Sequence, residues 1–279
     1  MGRLPKKFDE AYGHARMLRL VMEATEEMST GNYMSRRQPD PIRLKAELST
    51  AFLDKYDKWV HEKRFGLRRS STLAELVGDG HAKIVSKLCA SDPTPRRAGK
   101  PRKNGDARRT NNGWFVVCAP ATGEVLAASQ MRDPENNAIA KETFQKALKK
   151  CPRVNCLIYD RMCTLHKRLR PKAEFRKIKH FAVDKMHARG HSRECLCNPT
   201  HIPELKRRVR KLNTQICEQT FSWFRRFAFT FNVMSPLRHR FITLRYLAKH
   251  NECISHGDCA YLSPMSRSRK RARSTAYEC

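Results

Sequence analysis

Acidic side chains are scarce in this sequence: 27 Asp and Glu stand against 57 Lys and Arg, a formal charge of +30. An enzyme acting on a neutral metabolite has no use for such a surplus. Polyanions are drawn to it, nucleic acid foremost among them. Long apolar runs are missing as well. No stretch approaches the roughly 20 residues of a membrane-crossing helix, and the start MGRLPKKFDEAYGH has no apolar signal core. No membrane partner is therefore expected. The 11 cysteines form an odd set without the spacing of a small secreted framework. We expect a reducing compartment, with thiols buried as small hydrophobes or bound to metal. The basic cluster SRSRKRAR at 266–273 points to the nucleus. No internal repeat is present. The 279 residues suffice for one large domain with appendages.

Residues 1–72 read as a helical N-terminal region. His14–Met28 and Arg43–Phe65 have amphipathic spacing, with Ala51, Phe52, Tyr56, Trp59 and Val60 on the apolar side and a break at Gln38–Pro41. Leu73–Val85 suits a strand through Leu76, Val77, Ile84 and Val85. Asp79 sits inside it between Gly78 and Gly80, either on a strand whose glycines admit close neighbours or in a Gly-Asp-Gly turn. Residues 91–112 form a basic loop without periodicity, solvated or laid along phosphates. Gly113–Pro120 and Gly123–Ser129 read as a hairpin. Met131–Lys150 reads as a helix capped by Asp133 or Asn136. A further strand, Val154–Tyr159, ends in Asp160, which alternatively caps the helix that follows.

Pro203–Asn251 combines dense arginine with an apolar stripe, Ile216, Phe224, Phe227 and Phe231, and Thr220 shares that face. A break at Ser235-Pro236 splits it into two helices. Glu218 lies in a segment that tolerates few buried charges, so it needs a partner: Arg225, a hydrogen-bond donor or a metal ion. If the first and fourth strands are neighbours in a mixed sheet, Asp79 and Asp160 converge at one edge. A third carboxylate from a packed helix then completes a site for two divalent ions of the magnesium kind, which favour oxygen ligands.

Soft ligands cluster between Asp160 and Glu218, in a candidate zinc-binding insert at 161–202. Cys163-x-x-His166 offers one half-site, and His187 with His191, four apart, offers the other on one helical face. Cys195 or Cys197 can replace a histidine, and Gly190 weakens the helical spacing. Local hydrogen bonding or phosphate binding by imidazolium is the alternative. Lys185, Arg189 and Arg193 add charge for a DNA contact.

The blocks LVGDGHAKI, LIYDRMCTLHKRL, VDKMHARGHSREC, NPTHIPEL and NTQICEQTFSWFRRFAFTFNVMSPLRHRF together resemble the Kyakuja–Dileera–Zisupton family of eukaryotic DNA transposases, from about Leu73 to Asn251. The resemblance implies an α/β, ribonuclease-H-like core at 73–251 with flanking helices, followed by a basic tail at 252–279. It implies an Asp–Asp–Glu triad of Asp79, Asp160 and Glu218. These would be catalytic and hold Mg (or Mn) for DNA cleavage and strand transfer. DNA is the expected partner, and a homo-oligomer is expected from the resemblance alone. Arg207–Arg210 and the 91–112 loop are expected to touch flanking DNA, with Trp223 either gripping DNA or packed in the core. The rival readings are a catalytically silent nucleic-acid-binding protein and a zinc-dependent scaffold.

Overall fold

The structure, a computed structural model, describes residues 19–29, 48–66, 72–85, 111–232 and 234–256. The 266–273 cluster, the break at 38–41 and nearly all of the 91–112 loop lie outside those residues.

Five strands make one mixed sheet in the order β3-β2-β1-β4-β5. They are β1 (Glu75–His81), β2 (Trp114–Cys118), β3 (Val125–Gln130), β4 (Cys156–Ile158) and β5 (His180–Ala182). β1 and β2 are antiparallel, as are β2 and β3, the hairpin expected around Gly123, whose φ is 80°. β4 lies parallel to β1 and β5 parallel to β4. Strand β2, WFVVC, is buried throughout because helices cover both faces of the sheet, which is why it reads as an unbroken apolar run.

On one face lie α3 (Asn137–Leu148) and α4 (Met162–Leu169), packed over Leu76, Phe115, Leu157 and Phe181. Asn136 is the cap of α3: its side chain accepts from the N–H groups of Ala138 and Ile139. On the other face lie α1, helical over 19–29, α2 (Thr50–Lys63), α5 (Pro203–Arg210), α6 (Ile216–Phe224), α7 (Ala228–Asn232) and α8 (Pro236–His256). Their apolar sides join Val77, Val116, Ile158 and Ala182 in a second core. In α2 the inward residues are Leu53, Tyr56, Val60 and His61, with Ala51 exposed, so the stripe is rotated slightly from the sequence reading. Ion pairs from α8 hold the N-terminal helices: Arg240 to Asp54 and Asp57, Arg245 to Glu23 and Glu27. Asn251 of α8 bonds both backbone groups of Val125 at 2.7 Å, closing off the start of β3.

The glycines around Asp79 are strand residues, and neither has a positive φ. Their role is space. A Cβ on Gly78 would lie 2.6 Å from the Phe144 ring of α3, and one on Gly80 would lie 2.2 Å from the Glu135 carboxylate. The turn alternative for Asp79 therefore falls away. Glycine is required because α3 and the loop before it press directly on β1.

Candidate active site and a cysteine–histidine cluster

Strand register sets the acids in a row. Val77 of β1 is aligned with Ile158 of β4, and Ile158 with Ala182 of β5. Two residues beyond each stand Asp79, inside β1, and Asp160 and Asp184, just past the ends of β4 and β5, with Asp79 feeling the charge of Asp160 and Asp160 that of Asp184. The first turn of α6 crosses β1: the Cys217 thiol donates to the Val77 carbonyl at 3.3 Å. Glu218, the next residue, is only half-buried and looks toward the same row. No ion pair with Arg225 forms among the described residues. Its neighbours in charge are Asp184, His187 and Asp160.

These acids feel one another. Burial pushes the Asp79 carboxyl up to about 8, with Glu135, Asp160 and Glu218 adding to the rise and the Gly80 N–H opposing it. Asp160 is raised by burial and by Asp184, against hydrogen bonding from the Arg161 N–H at 2.5 Å and the charge of His187. That bond is the local use of Asp160 at the start of α4, where Arg161 takes the cap position without a side-chain bond. Burial also raises Glu218, aided by Asp184 and Asp160. An oxygen-only donor set whose members hinder one another's ionisation is suited to a hard divalent cation, whose charge relieves the crowding.

Two site residues, Glu135 and Asp184, were not anticipated, and His187, expected as a zinc ligand, joins them beside the acids instead. Glu135, in the loop before α3, accepts from the Tyr159 hydroxyl at 2.7 Å and, after burial, feels Asp160 most strongly among the charges. Asp184 accepts from the N–H groups of Met186 and His187 and holds His187 Nδ1 at 2.5 Å. Burial works against the charged imidazole of His187, but Asp184, with Asp160 and Glu218 behind it, outweighs this and raises its pKa. The repeated apolar-run-then-aspartate of LVGD, LIYD and FAVD carried the signal for Asp184.

The zinc candidates divide. The structure gathers Cys163 and His191 and adds Cys195, their ligand atoms all within 4.8 Å of one another. His187 goes to Asp184 instead, and His166 Nδ1 lies 3.0 Å from the Cys163 carbonyl with its ring near Phe181. The physical reason is backbone shape. His187–Gly190 is a single 3-10 turn and His191 is extended, so the two histidines do not share a helical face. Cys197 is buried close by, its thiol pushed up to about 12 by burial and then by Cys195 and Cys163. The group can hold a metal ion of a kind that accepts thiolate and imidazole. Elsewhere, Arg208 is committed to the fold through Glu75 and Asn155, and Trp223 packs against Phe227 and His250.

A profile of the Kyakuja-Dileera-Zisupton transposase family matches residues 21–251. The chain belongs to that family. The Kyakuja-Dileera-Zisupton match reaches back beyond Leu73, so α2 and all of α1 but its first two residues fall within it, in keeping with a core they share with the sheet. Membership in a transposase family implies DNA binding, which suits the charge of +30. No described helix is long and apolar enough to cross a membrane. No curated protein and no solved structure matches the chain.

Proposed function

We propose that the chain is a DNA-cleaving and strand-transferring transposase core of ribonuclease-H type, with Asp79, Asp160 and Glu218 holding magnesium or manganese. The observation that carries this is that Asp79 inside β1 and Asp160 and Asp184 just past β4 and β5 stand near one another and near Glu218 of α6, inside a family of transposases. Bound there, the metal would supply charge to the scissile phosphate and lower the pKa of an attacking water or 3′-hydroxyl. The chain's own groups do the rest. The Arg161 N–H fixes one oxygen of Asp160, leaving the other for ligation. Asp184 keeps His187 oriented and favours its charged form beside the acids, where it can donate to a phosphate oxygen. The basic surface offsets the charge of the DNA.

The test is nicking of supercoiled DNA with added Mg²⁺ or Mn²⁺. Wild type nicks, and Asp160→Asn loses at least about 100-fold in rate while its DNA affinity stays within about twofold, since losing the metal chemistry adds about 3 kcal/mol or more to the barrier. Wild type that binds DNA and never cuts is the silent binding protein instead.

For the soft-ligand cluster we propose structural zinc on Cys163, His191 and Cys195, with Cys197 as candidate fourth ligand. It would tie the loop after β5 to α4, beside the acids. Stoichiometric zinc in the purified protein, lost in Cys195→Ser, supports this; zinc-free protein of unchanged stability overturns it. The nucleus is the proposed compartment, from the basic tail cluster and the DNA substrate, and assembly into oligomers remains part of the same proposal.

A further inference from the structure

A cavity of about 290 Å³ is lined by Lys185, Met186, Arg189, Asn213, Thr214 and Gln215, residues that follow Asp184 and precede Glu218 in the chain. It lies between two turns that already serve the site. One is the Asp184–Gly190 turn, which carries His187; the other is the Asn213–Gln215 turn, which leads into α6 and Glu218. The first is anchored on the second. The Lys185 N–H donates to Thr214 Oγ1 at 3.2 Å, and the Lys185 ammonium donates to the carbonyls of Arg210 and Leu212 at 3.2 and 2.6 Å. The Gln215 amide donates to the Met186 sulfur at 3.2 Å, and the Asn213 amide to Gln219.

The lining selects the ligand. It has two cationic side chains and no carboxylate, which excludes a metal ion and favours an anion. It also has an exposed apolar element, because Met186 keeps half its surface open, at 50%. Thioether and guanidinium are both groups that lie well on the faces of flat aromatic rings. Amides of Asn213 and Gln215 can pair with the edge of a base. A free phosphate would meet only the cations, leaving the exposed face of Met186 and the amide groups not used toward Met186 and Gln219 uncontacted. A base joined to a phosphate uses all of them.

We propose that this cavity takes one unstacked nucleotide of the DNA, next to the phosphate being cut. The position relative to the cut rests on the proposed catalytic reading, whereas the binding of an unstacked base does not. Met186 and Arg189 would sandwich the base, Lys185 would meet its phosphate with the third N–H of its ammonium while the other two keep the Arg210 and Leu212 carbonyls, and Gln215 would hold the sulfur in place. An extruded nucleotide bends the strand away from its duplex and fixes which phosphate comes to the acids.

The experiment is equilibrium binding of the whole chain to duplexes with a one-nucleotide flap, without added divalent metal and without chelator. The flap carries either 2-aminopurine or an abasic residue with the same phosphate, and inorganic phosphate serves as competitor. The expected result is about tenfold tighter binding of the base-bearing flap, with a change in 2-aminopurine fluorescence, the usual scale for one stacked base. Met186→Ala and Arg189→Ala should cut that preference to about twofold or less. Arg153→Ala, an exposed residue before β4 at the opposite end of the sheet with the same loss of charge, should leave it intact. Equal affinity for the two flaps, a preference unmoved by both cavity variants, absence of DNA binding, or competition by phosphate alone each overturns the inference. Nicking is scored separately. A base preference without nicking sinks the catalytic reading and keeps the cavity; nicking without base preference does the reverse.

Discussion

At the scale of single residues, Asp79 concentrates the consequences of gathering acids. Its carboxyl is raised to about 8, burial first and Glu135 second. The sign follows from linkage. In the unfolded chain the group ionises near its ordinary 3.8, whereas in the metal-free fold it keeps its proton to about 8. Its contribution to stability is therefore complete at low pH and is lost as pH rises through about 8. Asp79→Asn should raise the melting temperature of metal-free protein at pH 8 by a few degrees, about 2–4 °C per kcal/mol recovered. The same variant should abolish stabilisation by added magnesium. Thermal unfolding with and without magnesium reads both, and a variant that melts lower than wild type without metal contradicts the crowding. Gly78 makes a different demand. Alanine there meets Phe144 at 2.6 Å and Phe115 at 3.1 Å, so Gly78→Ala should cost about 1–3 kcal/mol by overpacking, seen as a lower urea midpoint.

Among elements, the contact of α6 with β1 decides whether Glu218 reaches the aspartates. His81, at the end of β1, stacks on Phe221 of α6 with ring centroids 4.6 Å apart. Burial, with Arg225 and Lys83 adding to it, lowers its pKa to about 4. His250 of α8 is lowered to about 4 by burial too. A histidine kept neutral in the fold stabilises above its unfolded pKa, and that share is lost as pH falls from about 6.5 toward 4. His81→Phe, which keeps a ring beside Phe221 and removes the titrating group, should flatten this part of the pH–stability curve, and an unchanged curve would show that the fold does not hold His81 neutral. The loop after β5 is knitted by Asn198, whose amide donates to the carbonyls of Ala188, His191 and Ser192 and whose oxygen accepts from Thr200. Removing metal from the Cys163, His191 and Cys195 group should speed amide exchange in 187–200 while the sheet stays protected. Uniform exchange in both states would deny the cluster its structural part.

For the molecule as a whole, the legible parts of the sequence were those with a pattern long enough to repeat. The hairpin, α3 with its Asn136 cap and β4 all have such patterns. The stripe from Ile216 to Phe231, by contrast, is not one helix but α6, a 3-10 turn at Arg225–Phe227 and α7, so Pro203–Asn251 holds more than the two helices expected. Asp79 lies inside β1 and Asp160 just past β4. Strand β5 escaped notice because three residues, HFA, give no run to read. Asp184 follows it, and its mark in the sequence is the apolar-run-then-aspartate that FAVD shares with LVGD and LIYD. Glu135 looked like an ordinary loop residue before a helix cap, and only the missing side chain of Gly80 shows why it can approach β1. The histidine pair misled because four-residue spacing has meaning only on a continuous helix, and this one stops at Gly190. Short elements and irregular turns are set by tertiary contacts, which local periodicity does not encode.

The same scale holds the central claim, that folding gathers Asp79, Asp160 and Glu218 to hold divalent metal. Calorimetric titration of the metal-free acids with Mn²⁺ at pH 7, repeated in buffers of different ionisation enthalpy, tests it most directly. Because Asp79 holds a proton up to about 8, the account expects saturable binding with release of about one proton, lost in Asp160→Asn and in Glu218→Gln. Absence of saturable binding, or binding that both variants leave unchanged, would contradict it.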